Sequence, residues 1–268
     1  MELETQKQKT EQEFHDRWAQ SIDLDGLLVD EAFEACTAME NKAALDAIAP
    51  VKGKRVFDLG CGAGETSVYL AKQGAIVTAL DISPQMVAVG RRLAEKHGVQ
   101  VEFLTGVAEK LPFPDGHFDA VFGNGVLHHV DLIPALREVR RVMKPGAKGA
   151  FIEPLKHNPV IDVYRRLAAD NRTPDEFPLG FGDFERMKEV FPKLSHKEYW
   201  LFTLYIFIHF FVWERVSPSK VRYWKKVIED APKYERLVGV LKKLDRFVLN
   251  LFPPLGRMCW NSVVVVEK

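Results

Sequence analysis

One stretch of the chain, residues 56–81, constrains the fold more than any other. It contains a short apolar run, three alternating glycines, a helical segment followed by Gly74, and a second apolar run that ends at Asp81. A continuous apolar run is typical of a buried parallel strand. Glycine permits a tight turn and is favoured just after a helix. The stretch therefore predicts a βαβ unit, with a glycine-rich turn after the first strand and a carboxylate at the end of the second.

The positions of the glycines and of Asp81 predict a nucleoside-binding site. Ligands of open parallel sheets bind beyond the carboxyl ends of the strands, where an acidic residue about 20 positions after the turn accepts hydrogen bonds from ribose. The three glycines do not have the Gly-x-Gly-x-x-Gly spacing of dinucleotide-binding proteins. Asp58, at the end of the first strand, favours a cationic ligand because it would repel a pyrophosphate.

Residues 58–64, Asp-Leu-Gly-Cys-Gly-Ala-Gly, resemble the first motif of class I S-adenosylmethionine-dependent methyltransferases. The form is that of the methyltransferase type 11 and ubiquinone/menaquinone methyltransferase-like group, and the resemblance extends over roughly residues 54–153. It implies a domain that binds S-adenosyl-L-methionine. The loop expected around the amino-acid part of this cofactor consists of Asp58, Gly60, Cys61, Gly62 and Gly64.

The resemblance also implies contacts to the adenosine part of the cofactor. We expect Asp81 to bind the ribose and Ile82 and Met86 to lie near the adenine and ribose, although Met86 is equally a candidate for the core. Residues 105–113 resemble a family segment whose aspartate contacts the adenine amine, but valine replaces that aspartate here. We therefore expect contact through an apolar wall and through the backbone of Val107 and Ala108.

The segment after the predicted fourth strand is expected to face the methionine part of the cofactor and the acceptor. Asn124 and Gly125 are the candidates for main-chain contacts with the cofactor. We expect only one of His128 and His129 to face the pocket, because they are adjacent in a short segment. An imidazole titrates near neutral pH, so His129 is a candidate for accepting a proton from the acceptor. The alternative is a structural histidine, and we predict neither a metal nor a covalent nucleophile.

Strands and helices alternate five times up to about residue 154, which predicts a parallel, doubly wound sheet. Residues 196–200 are a candidate strand and residues 260–266 are a β-branched run at the chain end, and the family resemblance implies that they complete a Rossmann-like, mainly parallel seven-stranded sheet with an antiparallel last strand. The predicted organisation has three parts. These are an N-terminal helical segment that closes over the cofactor (1–50), a core (51–200 with 259–268) and a helical insertion (201–258).

The insertion carries the clearest signal about the acceptor. Residues 199–213 are apolar and aromatic on almost every side, yet too few to span a bilayer, which takes about 20 residues. They predict a buried helix, the wall of an apolar pocket, or an interfacial membrane anchor beside the cationic helices that follow. The last two alternatives both indicate a small hydrophobic acceptor, such as an isoprenoid, a quinone or a lipid-like molecule.

Charge and cysteine content set the remaining expectations. Lys plus Arg equals Asp plus Glu at 37 each, so no net charge favours a nucleic-acid partner. Three widely spaced cysteines and no signal-peptide pattern predict a reducing cytoplasm, with contact at the inner face of a membrane as an additional alternative. Oligomeric state is left open.

The predicted function is transfer of a methyl group from S-adenosyl-L-methionine to that hydrophobic acceptor. A nicotinamide-dependent oxidoreductase is one alternative, disfavoured by the glycine spacing and by Asp58. The other is a protein that binds S-adenosylmethionine without catalysing a reaction.

Overall fold

The computed structural model describes residues 5–168, 172–173 and 176–268. Within them, one sheet has the strand order β3-β2-β1-β4-β5-β7-β6. The strands are β1 (Arg55–Leu59), β2 (Ile76–Asp81), β3 (Val101–Thr105), β4 (Phe118–Asn124), β5 (Met143–Pro154), β6 (Lys193–Tyr199) and β7 (Asn261–Glu267).

Helices lie before and between these strands. The first four are α1 (Gln6–Gln20), α2 (Glu31–Glu34), α3 (Met39–Ile48) and α4 (Glu65–Lys72). They are followed by α5 (Pro84–Lys96), α6 (Leu132–Val142), α7 (Pro159–Leu167) and α8 (Phe181–Lys188), and then by α9 (Tyr205–Val212), α10 (Tyr223–Glu229) and α11 (Ala231–Leu251). Short 3₁₀ helices cover Leu24–Gly26 and Pro253–Met258.

The sheet is parallel except for its last strand in sequence. β1 pairs in parallel with β2 and β4, and β2–β3 and β4–β5 are also parallel. β7 lies between β5 and β6 and runs antiparallel to both. The predicted mainly parallel, seven-stranded Rossmann-like sheet is therefore confirmed, including its antiparallel last strand.

The βαβ unit predicted from residues 56–81 forms as expected. Leu59 is in register with Leu80, so β1 and β2 end at the same edge of the sheet. The carbonyl oxygen of Leu80 accepts the N–H groups of Gly60 and Cys61 at 2.8 and 3.1 Å. These bonds fix the start of the glycine turn directly beside the end of β2.

Helix α5 begins where its sequence predicts. Ser83 is the N-cap, its hydroxyl accepts the N–H of Met86 at 3.0 Å, and Pro84 occupies the first helical turn. The serine hydroxyl satisfies one of the N–H groups that have no partner at the start of the helix. Proline costs no hydrogen bond there, because an N–H in the first helical turn has no acceptor within the helix. The start of α5 therefore lies immediately after the carboxylate of Asp81.

Helix α1 packs across this edge of the sheet. The side-chain amide of Gln12 donates to the carbonyl oxygen of Ile82 at 3.0 Å, and the hydroxyl of Ser83 donates to Asp16 at 2.5 Å. An N-terminal helix is thereby bonded to the loop between β2 and α5. It covers the edge of the sheet where parallel sheets bind their ligands.

Helices α9, α10 and α11 pack around an apolar cluster of their own. Its buried members include Trp200, Phe207 and Phe210 beside Tyr223 and Val238. Helix α9 buries only one face, because Phe211 and Val212 remain 50% and 52% exposed. The buried-helix alternative for residues 199–213 is thus correct for one side of α9 and wrong for the other.

Candidate functional site

A cavity of about 660 Å³ lies at the carboxyl edge of the sheet. The turn after β1, the ends of β2 and β4, and the segment after β3 form its floor, while α1 and α10 form its other walls. This volume is in the range of pockets for small organic ligands. The position is the one where open parallel sheets bind ligands.

Most residues predicted to contact a ligand border this cavity. The structure places there eleven of the thirteen predicted residues, which are Asp58, Gly60, Cys61, Gly62, Asp81, Ile82, Val107, Ala108, Asn124, Gly125 and His129. The cavity brings them together from four separate strand ends.

Gly64 and Met86 were predicted to contact the cofactor, but the structure places them behind the cavity wall. Met86 is fully buried and packs with Ala19 and Val89, so it occupies the core position that was its alternative. A Cβ added to Gly64, which has φ +88°, would lie 2.9 Å from the Cα of Gly90 on α5. Gly64 therefore permits close packing of α4 against α5.

The carboxylate of Asp81 is held by backbone groups on both sides. One oxygen accepts the N–H of Gly62 at 2.8 Å, and the other accepts the N–H of Ser83 at 2.9 Å. Each carboxylate oxygen has a second lone pair, so both can still accept a ligand hydroxyl. The glycine turn and the start of α5 thus orient one charged acceptor toward the cavity.

Asp58 lies deeper than Asp81 and is almost completely buried at 1% exposure. Burial raises the pKa of this carboxyl to about 7, against the opposing effect of a 2.5 Å hydrogen bond from Ser67. The nearby charge of Asp81 contributes to this rise in the pKa of Asp58. A cationic ligand group beside Asp58 would reverse these penalties by stabilising its ionised form.

His128 is fixed between two carboxylates. Its Nδ1 lies 2.7 Å from Glu153 and its Nε2 lies 3.0 Å from Glu176. Burial opposes the charge of this imidazole, but the hydrogen bonds with both carboxylates raise its pKa to about 9. Glu153 also accepts the N–H groups of Val126 and Leu127 at 3.0 and 2.7 Å. His128 therefore acts as a buried cation that fixes the loop after β4.

His129 has a different environment, although its ring centroid is only 4.0 Å from that of His128. Its Nδ1 lies 3.1 Å from Glu11 on α1. Burial and the neighbouring His128 cation lower the pKa of His129. Both histidines border the cavity. The expectation that only one would face it is wrong, because a turn after β4 points both rings to the same side.

The N-terminal segment was expected to close over the cofactor, but none of its side chains was predicted to be part of the site. An apolar stripe at i,i+4 spacing, formed by Phe14, Trp18 and Ile22, borders the cavity, and so do Glu11 and His15. The signal that could have identified this pair is its i,i+4 spacing, which places both side chains on one helix face.

Part of the cavity lining is aromatic. Trp200, Tyr164 and Trp260 border the cavity, together with Arg222, whose guanidinium lies 3.6 Å from the ring centre of Trp18. All of residues 199–213 are described, and among them only Trp200 borders the cavity. The pocket-wall alternative is therefore wrong for α9, and the insertion reaches the cavity through α10 and Arg222.

Comparison with known proteins agrees with this geometry. Residues 57–151 match the family model described as "Methyltransferase domain". This segment is a methyltransferase domain. The matched residues run from β1 to β5 and so include both the glycine turn and Asp81. The predicted membership of the S-adenosylmethionine-dependent methyltransferases, and the cofactor predicted with it, are confirmed for this domain.

Two similar proteins are methyltransferases of quinone biosynthesis. The demethylmenaquinone methyltransferase of Thermus thermophilus is 39% identical over 115 residues, covering 42% of this chain and 52% of that protein. The ubiquinone biosynthesis O-methyltransferase of Xanthomonas axonopodis pv. citri is 36% identical over 146 residues, covering 54% of each chain. The chain thus spans about half the length of these relatives.

A solved structure shares the fold over most of the chain, beyond the matched residues 57–151. An S-adenosylmethionine-dependent methyltransferase of Thermotoga maritima superposes with a TM-score of 0.57 at 16% identity, covering 96% of this chain and 99% of that one. The likeness supports the Rossmann-like architecture assigned above.

We predict that Asp58 makes the stability of the methyltransferase domain depend on pH. Its pKa is about 7 in the folded chain and ordinary, about 4, in the unfolded chain. As pH rises from about 5 to 7.5, the unfolded carboxyl ionises before the folded one, so the free energy of unfolding falls. Guanidinium denaturation should show this decline, by up to about 1.4 kcal/mol per pH unit, relative to Asp58→Asn.

The matched control is Asp46→Asn, because Asp46 is exposed and distant from the cavity. It should follow the wild type across the same pH range. A constant difference between the wild type and Asp58→Asn at every pH would contradict the elevated pKa.

Proposed function

We propose that this protein transfers a methyl group from S-adenosyl-L-methionine to a small hydrophobic acceptor. The observation that carries the proposal is one cavity that is bordered both by Asp81 and the glycine turn of a methyltransferase domain and by aromatic side chains. The first set of residues is suited to the cofactor. The second set is suited to an apolar molecule.

We assign the cofactor to the edge formed by β1, β2 and β4. The ribose hydroxyls would donate to Asp81, and the adenine would lie against Ile82 and the segment at Val107 and Ala108. The charged amino-acid part would lie at the glycine turn near Asp58, where an ammonium group compensates a buried carboxylate. Asn124 and Gly125 would face the methionine side.

The chemistry requires little beyond positioning. The sulfonium is an activated donor, so the protein has to hold the methyl carbon in line with the acceptor atom and exclude water. A lone pair of the acceptor forms the new bond to the methyl carbon while the electrons of the carbon–sulfur bond remain on sulfur. Helix α1 and the insertion border the cavity, which supports a role in excluding water for the N-terminal segment (1–50) and the insertion (201–258).

His129 is the candidate to remove the proton that the acceptor loses. Its Nδ1–H donates to Glu11, which leaves the Nε2 lone pair free to accept a proton from a hydroxyl or amine. Thr173 donates to the same oxygen of Glu11 at 2.8 Å and holds it in place. Glu11 thereby orients the imidazole as a carboxylate does in other histidine bases.

Two observations support this class of acceptor. The relatives from Thermus and Xanthomonas are named for demethylmenaquinone and for ubiquinone biosynthesis. In this chain the partly buried Trp260 and Tyr164 border the cavity, and aromatic side chains of this kind pack against ring systems. We therefore propose a quinone-type or other isoprenoid acceptor.

Contact with a membrane surface is part of the proposal, because such acceptors reside in lipid. Helix α11 carries an exposed apolar stripe of Val240, Leu244, Phe247 and Leu251, of which Val240 and Phe247 are each 65% exposed. Exposed cations flank it, namely Arg236, Lys243 and Arg246. Among the described residues no helix is both long and apolar enough to cross a bilayer. A cationic helix with an exposed apolar stripe instead suits a position on an anionic surface.

The cofactor assignment predicts that Asp81→Asn weakens binding of S-adenosylmethionine by roughly 1 to 3 kcal/mol, because ribose hydroxyls lose a charged acceptor. Isothermal titration calorimetry would measure it, with Asp46→Asn as the control that retains wild-type affinity. NAD⁺ titrated in parallel should not bind. Equal affinity of Asp81→Asn and wild type would contradict the ribose assignment, and binding of NAD⁺ alone would favour the oxidoreductase.

The catalytic assignment predicts that His129→Ala lowers kcat by roughly 10²- to 10⁴-fold while the Kd of the cofactor stays unchanged. The assay follows a labelled methyl group into a prenylated hydroquinone and into an organic extract of bacterial membranes. His157→Ala is the control, because His157 is exposed and lies outside the cavity. Transfer to neither acceptor by the wild type would favour a protein that only binds the cofactor.

For the membrane surface, we predict that the wild type floats with anionic vesicles and not with neutral ones. Val240→Glu and Phe247→Glu should each reduce the bound fraction about tenfold or more, because each removes one inserted apolar side chain. Ile76→Glu is the matched control, since Ile76 is 59% exposed but lies on β2. A wild-type protein that stays with the unbound fraction in both vesicle types would remove this part of the proposal.

A further inference from the structure

Three side chains from two distant parts of the sequence converge under α1. Glu11 and His15 lie one helical turn apart, and His129 approaches from the loop after β4. Glu11 Oε1 is 3.1 Å from His129 Nδ1, and Glu11 Oε2 is 3.7 Å from His15 Nε2. The two imidazole rings are 5.9 Å apart at 82°. One potential ligand atom from each residue lies within 4.8 Å of the others.

The cluster leaves polar atoms unsatisfied. Glu11 Oε2 and His15 Nδ1 are buried and have no hydrogen-bond partner among the described residues. Glu11 as a whole is only 3% exposed. An unpaired oxygen of a buried carboxylate costs free energy that a bound cation would recover. The unsatisfied oxygen therefore points to a ligand that is part of the functional protein.

We propose that Glu11, His15 and His129 bind a divalent transition-metal ion of the zinc class. Two imidazoles and one carboxylate are a ligand set used by catalytic zinc, which leaves one position open. Tetrahedral bonds of about 2.0–2.1 Å place ligand atoms about 3.3 Å apart. One ligand atom from each residue lies within 4.8 Å of the others, so the three atoms would have to approach by about 1 Å or more to reach that geometry.

His128 is not a ligand, although it is adjacent. Its two ring nitrogens are already hydrogen-bonded to Glu153 and Glu176, so neither offers a lone pair to an ion. Glu176 Oε1 lies 3.9 Å from His129 Nε2, which is longer than a hydrogen bond. A histidine that binds a metal through one nitrogen usually donates the other N–H to a carboxylate, and Glu176 would take this role only after a shift of about 1 Å.

The open position would face the cavity, because all three ligands border it. An oxygen or nitrogen atom of a cavity ligand would complete the coordination. An ion on His129 Nδ1 moves the ring proton to Nε2, and the imidazole can then no longer accept a proton there. Zinc occupancy is thus incompatible with the base role of His129. This consequence rests on the proposed function, whereas the metal site does not.

The test is metal binding by the full chain, freed of metal by chelation and dialysed, with neither cofactor nor acceptor present. Titration with Co²⁺ should give one ion per chain with visible absorption bands of low coordination number, displaced by Zn²⁺ and not by Mg²⁺. His15→Ala and Glu11→Gln should each weaken Co²⁺ binding by about 10-fold or more. His157→Ala should bind as the wild type does, because it removes an exposed histidine outside the cluster.

Circular dichroism and thermal unfolding establish that each variant is folded, and His15→Gln replaces His15→Ala if the latter is not. Zn²⁺ should raise the unfolding midpoint of the wild type and not that of Glu11→Gln. The proposal is overturned if the wild type does not bind Co²⁺, or if the His15 and Glu11 variants bind Co²⁺ with the affinity of the wild type. If Zn²⁺ binds but does not inhibit methyl transfer, the base role of His129 is wrong and the metal site stands.

Discussion

The site depends on how the end of β1 is bonded to the end of β2. Because the carbonyl oxygen of Leu80 accepts two successive N–H groups of the glycine turn, the turn cannot move independently of β2. The N–H of Gly62 then bonds the carboxylate of Asp81. The loop and the carboxylate are thus positioned by the same short set of backbone bonds. A ligand meets a preformed surface and does not have to order it, which reduces the entropic cost of binding.

The part of the cavity lining that follows β4 is organised by charge. His128 is a buried cation between two carboxylates, and its charge lowers the pKa of the neighbouring His129. Burial would raise the pKa of Glu11, but the hydrogen bond from His129 and the nearby imidazole of His15 lower it overall. Two adjacent histidines therefore have opposite properties. One is fixed as a structural cation, and the other is neutral and accessible from the cavity.

Helix α1 connects these two parts of the cavity lining. Its apolar stripe covers the cavity, its Asp16 and Gln12 bond the loop after β2, and its Glu11 orients a histidine from the loop after β4. The insertion reaches the same helix through Arg222 and Trp18. Binding of a ligand beneath α1 is therefore coupled to the packing of three separate segments. Such coupling suits a site that excludes water when it is occupied.

The sequence alone determined the βαβ unit, the glycine turn, the position of Asp81 and the cap of α5. All of these depend on residues within about 30 positions of each other, where strand, turn and helix preferences act locally. The type of domain could be predicted for the same reason. Burial of residue 86 and the packing of Gly64 against Gly90 could not, because they depend on how two helices approach each other.

Only the tertiary structure decided which polar side chains cluster beside the cavity and which face of α9 is buried. Glu11 and His129 are 118 positions apart, and Glu176 is a further 47 beyond His129, so no local pattern could place them together. The aromatic run at residues 199–213 has apolar residues on all sides, and its sequence contains no information about which face is covered. Packing against α10 and α11 buried one side and left the other exposed. Long-range contacts thus fixed what the local sequence left open.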